Sequence, residues 1–125
     1  MQSMGIANKE EFMEFQRKLM EQNKIKHQTD GRIQLNERGK RRDELTLREL
    51  DELSKDTRVF SSVGKMFLLT PHNEIRDNLN AKLGRINKEL DGLYKQQSYT
   101  ERKIKETEEG LKELMILNAV KGGKK

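Results

Sequence analysis

The sequence predicts a mainly α-helical protein: an antiparallel coiled-coil hairpin of two long helices, joined by a short helix and one β-hairpin. Three observations lead to this fold class. Apolar residues recur in steps of three and four over two long stretches, a β-rich apolar segment separates them, and only 32% of the 125 residues are hydrophobic whereas 38% are charged. This composition cannot fill a compact core, but a two-stranded coiled coil needs apolar residues at only about two positions in seven. Disorder is the alternative for so polar a chain, and the unbroken periodicity argues against it.

The first long helix is predicted over residues 8–42. We call the row of inward-facing residues along each helix its seam. The seam of this helix comprises Phe12, Phe15, Leu19, Gln22, Lys26, Thr29, Ile33 and Asn36. Lys26 and Thr29 are polar seam residues, which weaken packing and can instead set the register of the two helices. The middle of this helix is therefore expected to pack more loosely than its start.

A break is expected around Asp43, followed by a short helix over residues 46–55. Thr46 and Glu49 have the spacing of a capping box, in which the hydroxyl and the carboxylate each satisfy a free backbone N–H group. Leu47 and Leu50 would give this helix an apolar face.

A β-hairpin is predicted over residues 58–70, with strands at 58–62 and 65–70 and a tight turn through residues 62–64, in which Gly64 adopts a positive φ. A lone two-stranded hairpin is marginal in water, and an apolar strand with an open edge invites pairing. Hairpins of several subunits are therefore expected to join into one sheet or an intersubunit β-barrel, and the alternative is that the hairpin folds back on the short helix. The predicted assembly residues are Val59, Phe60, Val63, Gly64, Met66, Phe67, Leu68 and Leu69.

The second long helix is predicted over residues 71–119, before a flexible basic tail at 120–125. Its seam comprises Leu79, Leu83, Ile86, Leu90, Leu93, Gln97, Thr100, Ile104, Thr107, Leu111, Leu114 and Asn118. The mean spacing of 3.5 residues predicts a left-handed coiled coil.

Further apolar residues crowd the two free helix ends, which meet if the helices are antiparallel. This set comprises Ile6, Phe12, Met13, Phe15, Leu114, Met115, Ile116 and Leu117. An exposed apolar patch usually marks an interaction site, and methionine suits adaptable surfaces. The helix ends are therefore candidates for binding other proteins, and the alternative is that they pack only on each other.

Catalytic and metal-binding chemistry is not expected. The chain has no cysteine, and its two histidines, His27 and His72, lie in polar helical surroundings. Gly64 and Lys65 lack the rest of a phosphate-binding loop. We expect no enzyme activity, no cofactor and no membrane segment, and a cytoplasmic location with the nucleus left open.

The net charge of +5 includes two basic clusters, at residues 38–42 and 121–125. Either cluster could contact nucleic acid or act as a localisation signal, and solvated helix ends are the simpler interpretation. No aromatic residue is interleaved with the basic ones, so base stacking is not favoured.

The order of elements, the segment VFSSVGKMFLL at residues 59–69 and the segment QSYTER at 97–102 resemble prefoldin subunits of the β class, which have one hairpin where the α class has two. The resemblance covers nearly the whole chain. It implies a heterohexamer with two α-class and three further β-class subunits. It also implies capture of unfolded actin and tubulin at the coiled-coil tips, without ATP, and their delivery to the cytosolic group II chaperonin. The alternatives are a coiled-coil scaffold or tether without chaperone activity and a basic coiled coil that binds nucleic acid.

Overall fold

The computed structural model describes the backbone of residues 2–123 and the side chains of residues 9–119. The elements follow in the order α1 (Gln2–Glu52), β1 (Phe60–Val63), β2 (Met66–Leu69) and α2 (His72–Gly123). The two strands form one antiparallel sheet. The predicted fold class, mainly helical with two long helices and one antiparallel hairpin, is confirmed. None of the described helices is both long enough and apolar enough to cross a membrane.

Helix α1 runs without interruption to Glu52, so the predicted break at Asp43 and the separate short helix at 46–55 are wrong. The hydroxyl of Thr46 donates to the carbonyl of Arg42 at 2.9 Å inside the helix and does not cap a new one. Asp43 is buried in the seam, where two cations approach its carboxylate. The seam then continues to Leu50, which is also buried. The predicted break thus coincides with a charged residue at a seam position.

The described chain divides into two compact units. We call Arg32–Leu93 the hairpin unit, and the segments up to Gly31 and from Tyr94 onward together the end unit. Each unit contains one part of α1 and one part of α2.

In the hairpin unit, the two helical segments run antiparallel. Arg32 of α1 donates to Glu89 of α2 at 2.7 Å, whereas Asp51, further along α1, accepts from Arg76, nearer the start of α2. The seam between them is largely aliphatic. Its buried cluster consists of Ile33, Leu90 and Leu93, against which Ile86 packs. These residues have the predicted three-four spacing, which places them on one face of each helix.

The hairpin has the register Phe60↔Leu69 to Val63↔Met66, so its loop is the two residues Gly64 and Lys65. Gly64 has a φ of 62°, and no other described residue has a positive φ. A positive φ at the first loop position alone is the pattern of a type II′ turn, which matches the twist of paired strands. The turn therefore lies one residue later than predicted.

In the end unit, the helices are also antiparallel, because Asp30 accepts from Gln97 whereas Phe15, earlier in α1, packs on Gly110, later in α2. The seam here is more polar than in the hairpin unit. Its buried residues are Thr29, Thr100, Thr107 and Leu114. The hydroxyls of Thr29 and Thr107 donate to carbonyls one turn earlier in their own helices, at 2.8 and 2.9 Å. The hydroxyls of these two buried threonines are thus satisfied within their own helices.

Candidate functional site

The hairpin exposes apolar side chains on both of its faces. Its large apolar residues from Phe60 to Leu69 are all exposed, and Phe67 is 72% exposed. Successive residues of a strand point to opposite faces, so Phe67 and Leu69 cover one face while Met66 and Leu68 cover the other. Val59 is half-buried and Gly64 is exposed in the turn. The alternative that this hairpin folds back on its own chain does not hold, because these side chains remain in solvent.

The base of the hairpin is fixed by polar contacts that the sequence did not indicate. The Nε2 atom of His72 lies 2.6 Å from the carbonyl oxygen of Thr57. A carbonyl only accepts, so Nε2 donates the proton in this bond. Arg76 donates to Oδ1 of Asp51 through Nη2 at 2.6 Å and through Nε at 3.1 Å. The loop before β1 and the start of α2 are thereby tied to the end of α1. This bond of His72 was not predicted, because no periodic pattern in the sequence indicates it.

The start of α2 also differs from the simplest capping pattern. Thr70 donates its hydroxyl to the carbonyl of Leu68 at 2.9 Å. The carbonyl of Pro71 accepts the first helical bond, from Ile75 at 3.2 Å. Backbone pairing extends one step beyond the strands, since the amide of Thr70 donates to the carbonyl of Val59 at 3.0 Å. The two strands are thus held at their open ends as well as at the turn.

The second candidate surface lies in the end unit, at the helix ends. Met13, Met115, Ile116 and Leu117 are exposed there, at 49–58% of their surface. Phe12 and Phe15 are half-buried. Ile6 lies outside the described side chains.

Leu114 was predicted as part of this surface, but only 6% of its side chain is exposed. The structure places it in the seam, because it continues the three-four spacing of α2. It is therefore removed from the candidate surface, which keeps three consecutive exposed residues, 115–117.

Phe15 packs directly over Gly110, a contact that the sequence analysis missed. A Cβ atom at Gly110 would lie 2.8 Å from Cε1 and 3.0 Å from Cζ of the Phe15 ring. Real Cβ contacts are longer, so the ring occupies space that only glycine leaves open. Glycine inside a long helix normally costs about 1 kcal/mol relative to alanine. The unfavourable Gly110, opposite a seam phenylalanine, was the feature of the sequence that could have indicated this contact.

A polar network crosses the seam of the end unit. The carboxylate of Asp30 accepts from Nε2 of Gln97 at 2.8 Å through Oδ1 and from Nζ of Lys26 at 3.0 Å through Oδ2. The hydrogen bond from Gln97, then that from Lys26, lowers the pKa of Asp30. Asp30 in turn raises the pKa of Lys26. The bond from Gln97 joins the two helices, and a charge-assisted bond at such a position can set their register.

The remaining predicted seam residues lie where the spacing places them. Leu19, Leu79, Leu83, Ile86, Ile104 and Leu111 are half-buried, and Ile33, Leu90 and Leu93 are buried. Within the described side chains, no group of three or more histidine, aspartate or glutamate residues is placed to hold a metal ion. The arrangement presents exposed apolar surfaces in the hairpin and at the helix ends.

Known proteins resemble this chain over most of its length. The family model described as "Prefoldin subunit" matches residues 9–116. Probable prefoldin subunit 1 of Dictyostelium discoideum is 30% identical over 112 residues, which are 90% of this chain and 97% of that protein. Prefoldin subunit 1 of Homo sapiens is 31% identical over 114 residues, 90% of this chain and 93% of that protein.

A solved structure shows the same fold. The prefoldin beta subunit from Thermococcus strain KS-1 superimposes with a TM-score of 0.78 over 82% of this chain and 90% of that chain, at 17% sequence identity. The expected resemblance to the prefoldin family is confirmed by these matches. The chain belongs to the prefoldin subunit family.

Proposed function

We propose that this protein is a subunit of a hexameric, ATP-independent co-chaperone. It captures unfolded proteins, actin and tubulin among them, at the ends of its coiled coil and delivers them to the cytosolic group II chaperonin. The proposal places the protein in the cytoplasm. The observation that carries it is the pair of exposed apolar surfaces in a chain of the prefoldin family.

Assembly is assigned to the hairpin. Apolar area removed from water stabilises an interface by about 25 cal/mol per Å². An exposed, uncharged strand edge such as β2 pairs readily with another strand. Six large apolar side chains on two four-residue strands are exposed in the single chain: Phe60, Val63, Met66, Phe67, Leu68 and Leu69. Partner hairpins, from two α-class and three further β-class subunits, would cover both faces.

Capture is assigned to the helix ends. Residues 115–117 and Met13 offer exposed apolar area within the described part of the chain. Unfolded chains of varied sequence require such unspecific contacts. Several weak surfaces in one assembly also act together, because the first contact raises the effective concentration for the next.

A coiled-coil scaffold or tether without chaperone activity is the second candidate. The exposed Met115, Ile116 and Leu117 favour the chaperone, since a tether has no use for three consecutive solvent-facing apolar residues.

The test is reconstitution. The purified chain is mixed with α-class and β-class prefoldin subunits, and the mass of the product is measured by multi-angle light scattering. The product is then added to a diluted denatured protein whose aggregation is followed by turbidity. A hexamer that suppresses aggregation without ATP supports the proposal. A hexamer without suppression supports the scaffold, and a stable monomer that ignores the other subunits contradicts both assembly and capture.

A further inference from the structure

The basic cluster at residues 38–42 takes no part in the assembly or the capture proposed above. The structure places it on α1 within the hairpin unit. Lys40 is half-buried at a seam position, three residues before the buried Asp43. Arg38 and Arg42 are four residues apart and therefore lie on one outward face of the helix, whereas Arg41 lies on another side.

Helix α2 adds cations beside this face. Nζ of Lys82 lies 3.6 Å from Oδ2 of Asp43, and Nε of Arg42 lies 3.5 Å from Oδ1 of the same carboxylate. Arg42 and Lys82 are thus neighbours across the two helices. Arg85 follows Lys82 at a step of three. We call Arg38, Arg42, Lys82 and Arg85 the basic stripe.

The contacts of Asp43 neutralise the basic stripe only in part. Asp43 contacts Arg42 and Lys82 of the stripe, and its side chain is only 5% exposed. Its two cation distances are longer than good charge-assisted hydrogen bonds, and Oδ2 has no hydrogen bond. Arg42 and Lys82 therefore keep most of their donors free for another anion, and the side chain of Arg42 is 67% exposed.

An exposed leucine lies at each end of the stripe on α1. Leu35, Arg38, Arg42 and Leu45 follow at steps of three, four and three, which is the spacing of a single helical face. Leu35 is 68% exposed and Leu45 is 52% exposed. The face therefore reads apolar, basic, basic, apolar along its length.

We propose that this face docks an acidic amphipathic segment of a partner protein. Its carboxylates bind the guanidinium groups of the stripe, which match carboxylates in a bidentate geometry. Its apolar side chains cover Leu35 and Leu45. A polypeptide is favoured over nucleic acid because a phosphate backbone has no apolar group for the two leucines, and the face holds no aromatic ring on which a base could stack. The proposal is independent of chaperone activity.

The test uses the full chain and a fluorescent synthetic helical peptide with glutamates at its centre and a leucine near each end. Binding is measured by fluorescence anisotropy at two salt concentrations. The variant Arg38→Glu with Arg85→Glu reverses two charges and leaves the contacts of Asp43 intact. Lys24→Glu with Lys105→Glu is the matched control, since both lysines are exposed in the end unit and the net charge changes equally. Circular dichroism checks that both variants fold.

We expect the stripe variant to weaken peptide binding by roughly tenfold or more, and the control variant to change it by less than about threefold. Leu35→Ser with Leu45→Ser should weaken binding of the peptide but not binding of a duplex DNA probe. Equal losses in both charge variants would show unspecific charge attraction and overturn the proposal. Tighter binding of the DNA, unaffected by the leucine changes, would overturn it in favour of a phosphate-binding face.

Discussion

The hairpin unit and the end unit fill the same kind of seam with different residues. The hairpin unit buries Ile33, Leu90 and Leu93 together, whereas the end unit buries mainly threonines and bridges its helices through Asp30 and Gln97. Aliphatic burial contributes about 1.5–3 kcal/mol per side chain. A net intramolecular hydrogen bond contributes only about 0.5–1.5 kcal/mol. We infer that the two helices are held together more strongly in the unit of the hairpin proposed for assembly than in the unit of the helix ends proposed for client capture.

The largest expected effect is the loss of assembly in Phe67→Asp with Leu69→Asp. Both residues lie on one face of β2, and a buried carboxylate without a partner is strongly unfavourable. The hexamer should disappear in light scattering while the helical circular dichroism signal persists. The matched control is Met13→Asp with Met20→Asp, two exposed apolar residues of the end unit. An intact hexamer from the hairpin variant would remove the hairpin from the interface.

The second effect compares the two seams directly. Leu90→Ala should lower the free energy of unfolding by about 2–5 kcal/mol, because it empties a site that is only 3% exposed. Thr107→Ala should change it by less than about 1 kcal/mol, since alanine favours the helix and the carbonyl of Lys103 keeps its helical bond. Urea unfolding followed by circular dichroism measures both. Similar losses would contradict the distinction between the seams.

The third effect concerns two glycines of α2. Nothing lies within 4 Å of a Cβ atom at Gly92, so Gly92→Ala should stabilise the helix by up to about 1 kcal/mol. Gly110→Ala should lose this gain, because the new Cβ displaces the ring of Phe15. A double-mutant cycle with Phe15→Leu should then show coupling at position 110 and none at position 92. Coupling at neither position would mean that the ring moves away freely.

The smallest effect is a pH dependence carried by Asp30. Its pKa is lowered by Gln97 and Lys26, so its stabilising contribution is complete above the unfolded-state value of about 4. The contribution is lost as the pH falls through the lower folded-state value. Asp30→Asn should therefore flatten the loss of thermal stability in acid. A stability difference between Asp30→Asn and the unaltered protein that persists unchanged at low pH would exclude this carboxylate as its source.

The sequence predicted the elements that depend on spacing alone. The steps of three and four located both seams, and Gly64 marked the turn, because helical periodicity and positive φ act locally. The break predicted at Asp43 is wrong because this carboxylate is buried beside Arg42 and beside Lys82 of the other helix, and the contact with Lys82 cannot be seen in the sequence. Leu47 and Leu50 keep the spacing of the seam beyond it and could have shown that α1 continues.

Contacts between distant parts of the chain could not be predicted in the same way. The bond of His72 to Thr57 depends on the path of an irregular loop, which carries no periodic signal. The ring of Phe15 over Gly110 depends on the exact register of two helices, and register follows from polar contacts such as that of Asp30. Residues 115–117 are exposed beside the buried Leu114 because of the face of α2 that packs against α1, which likewise depends on contacts between the helices.

The proposal assigns assembly to the hairpin and capture to the helix ends. It is tested most directly by measuring how well a hexamer altered only at its helix ends suppresses aggregation. Met13, Met115, Ile116 and Leu117 are changed to serine, which removes exposed apolar area and leaves the seam in place. A second version is trimmed before Lys18 and after Leu111, with every other subunit trimmed at its own helix ends. Light scattering should show that both versions still contain six subunits, and both should protect a diluted denatured protein less well, the trimmed one least. Undiminished protection by the fully trimmed hexamer would contradict capture at the helix ends.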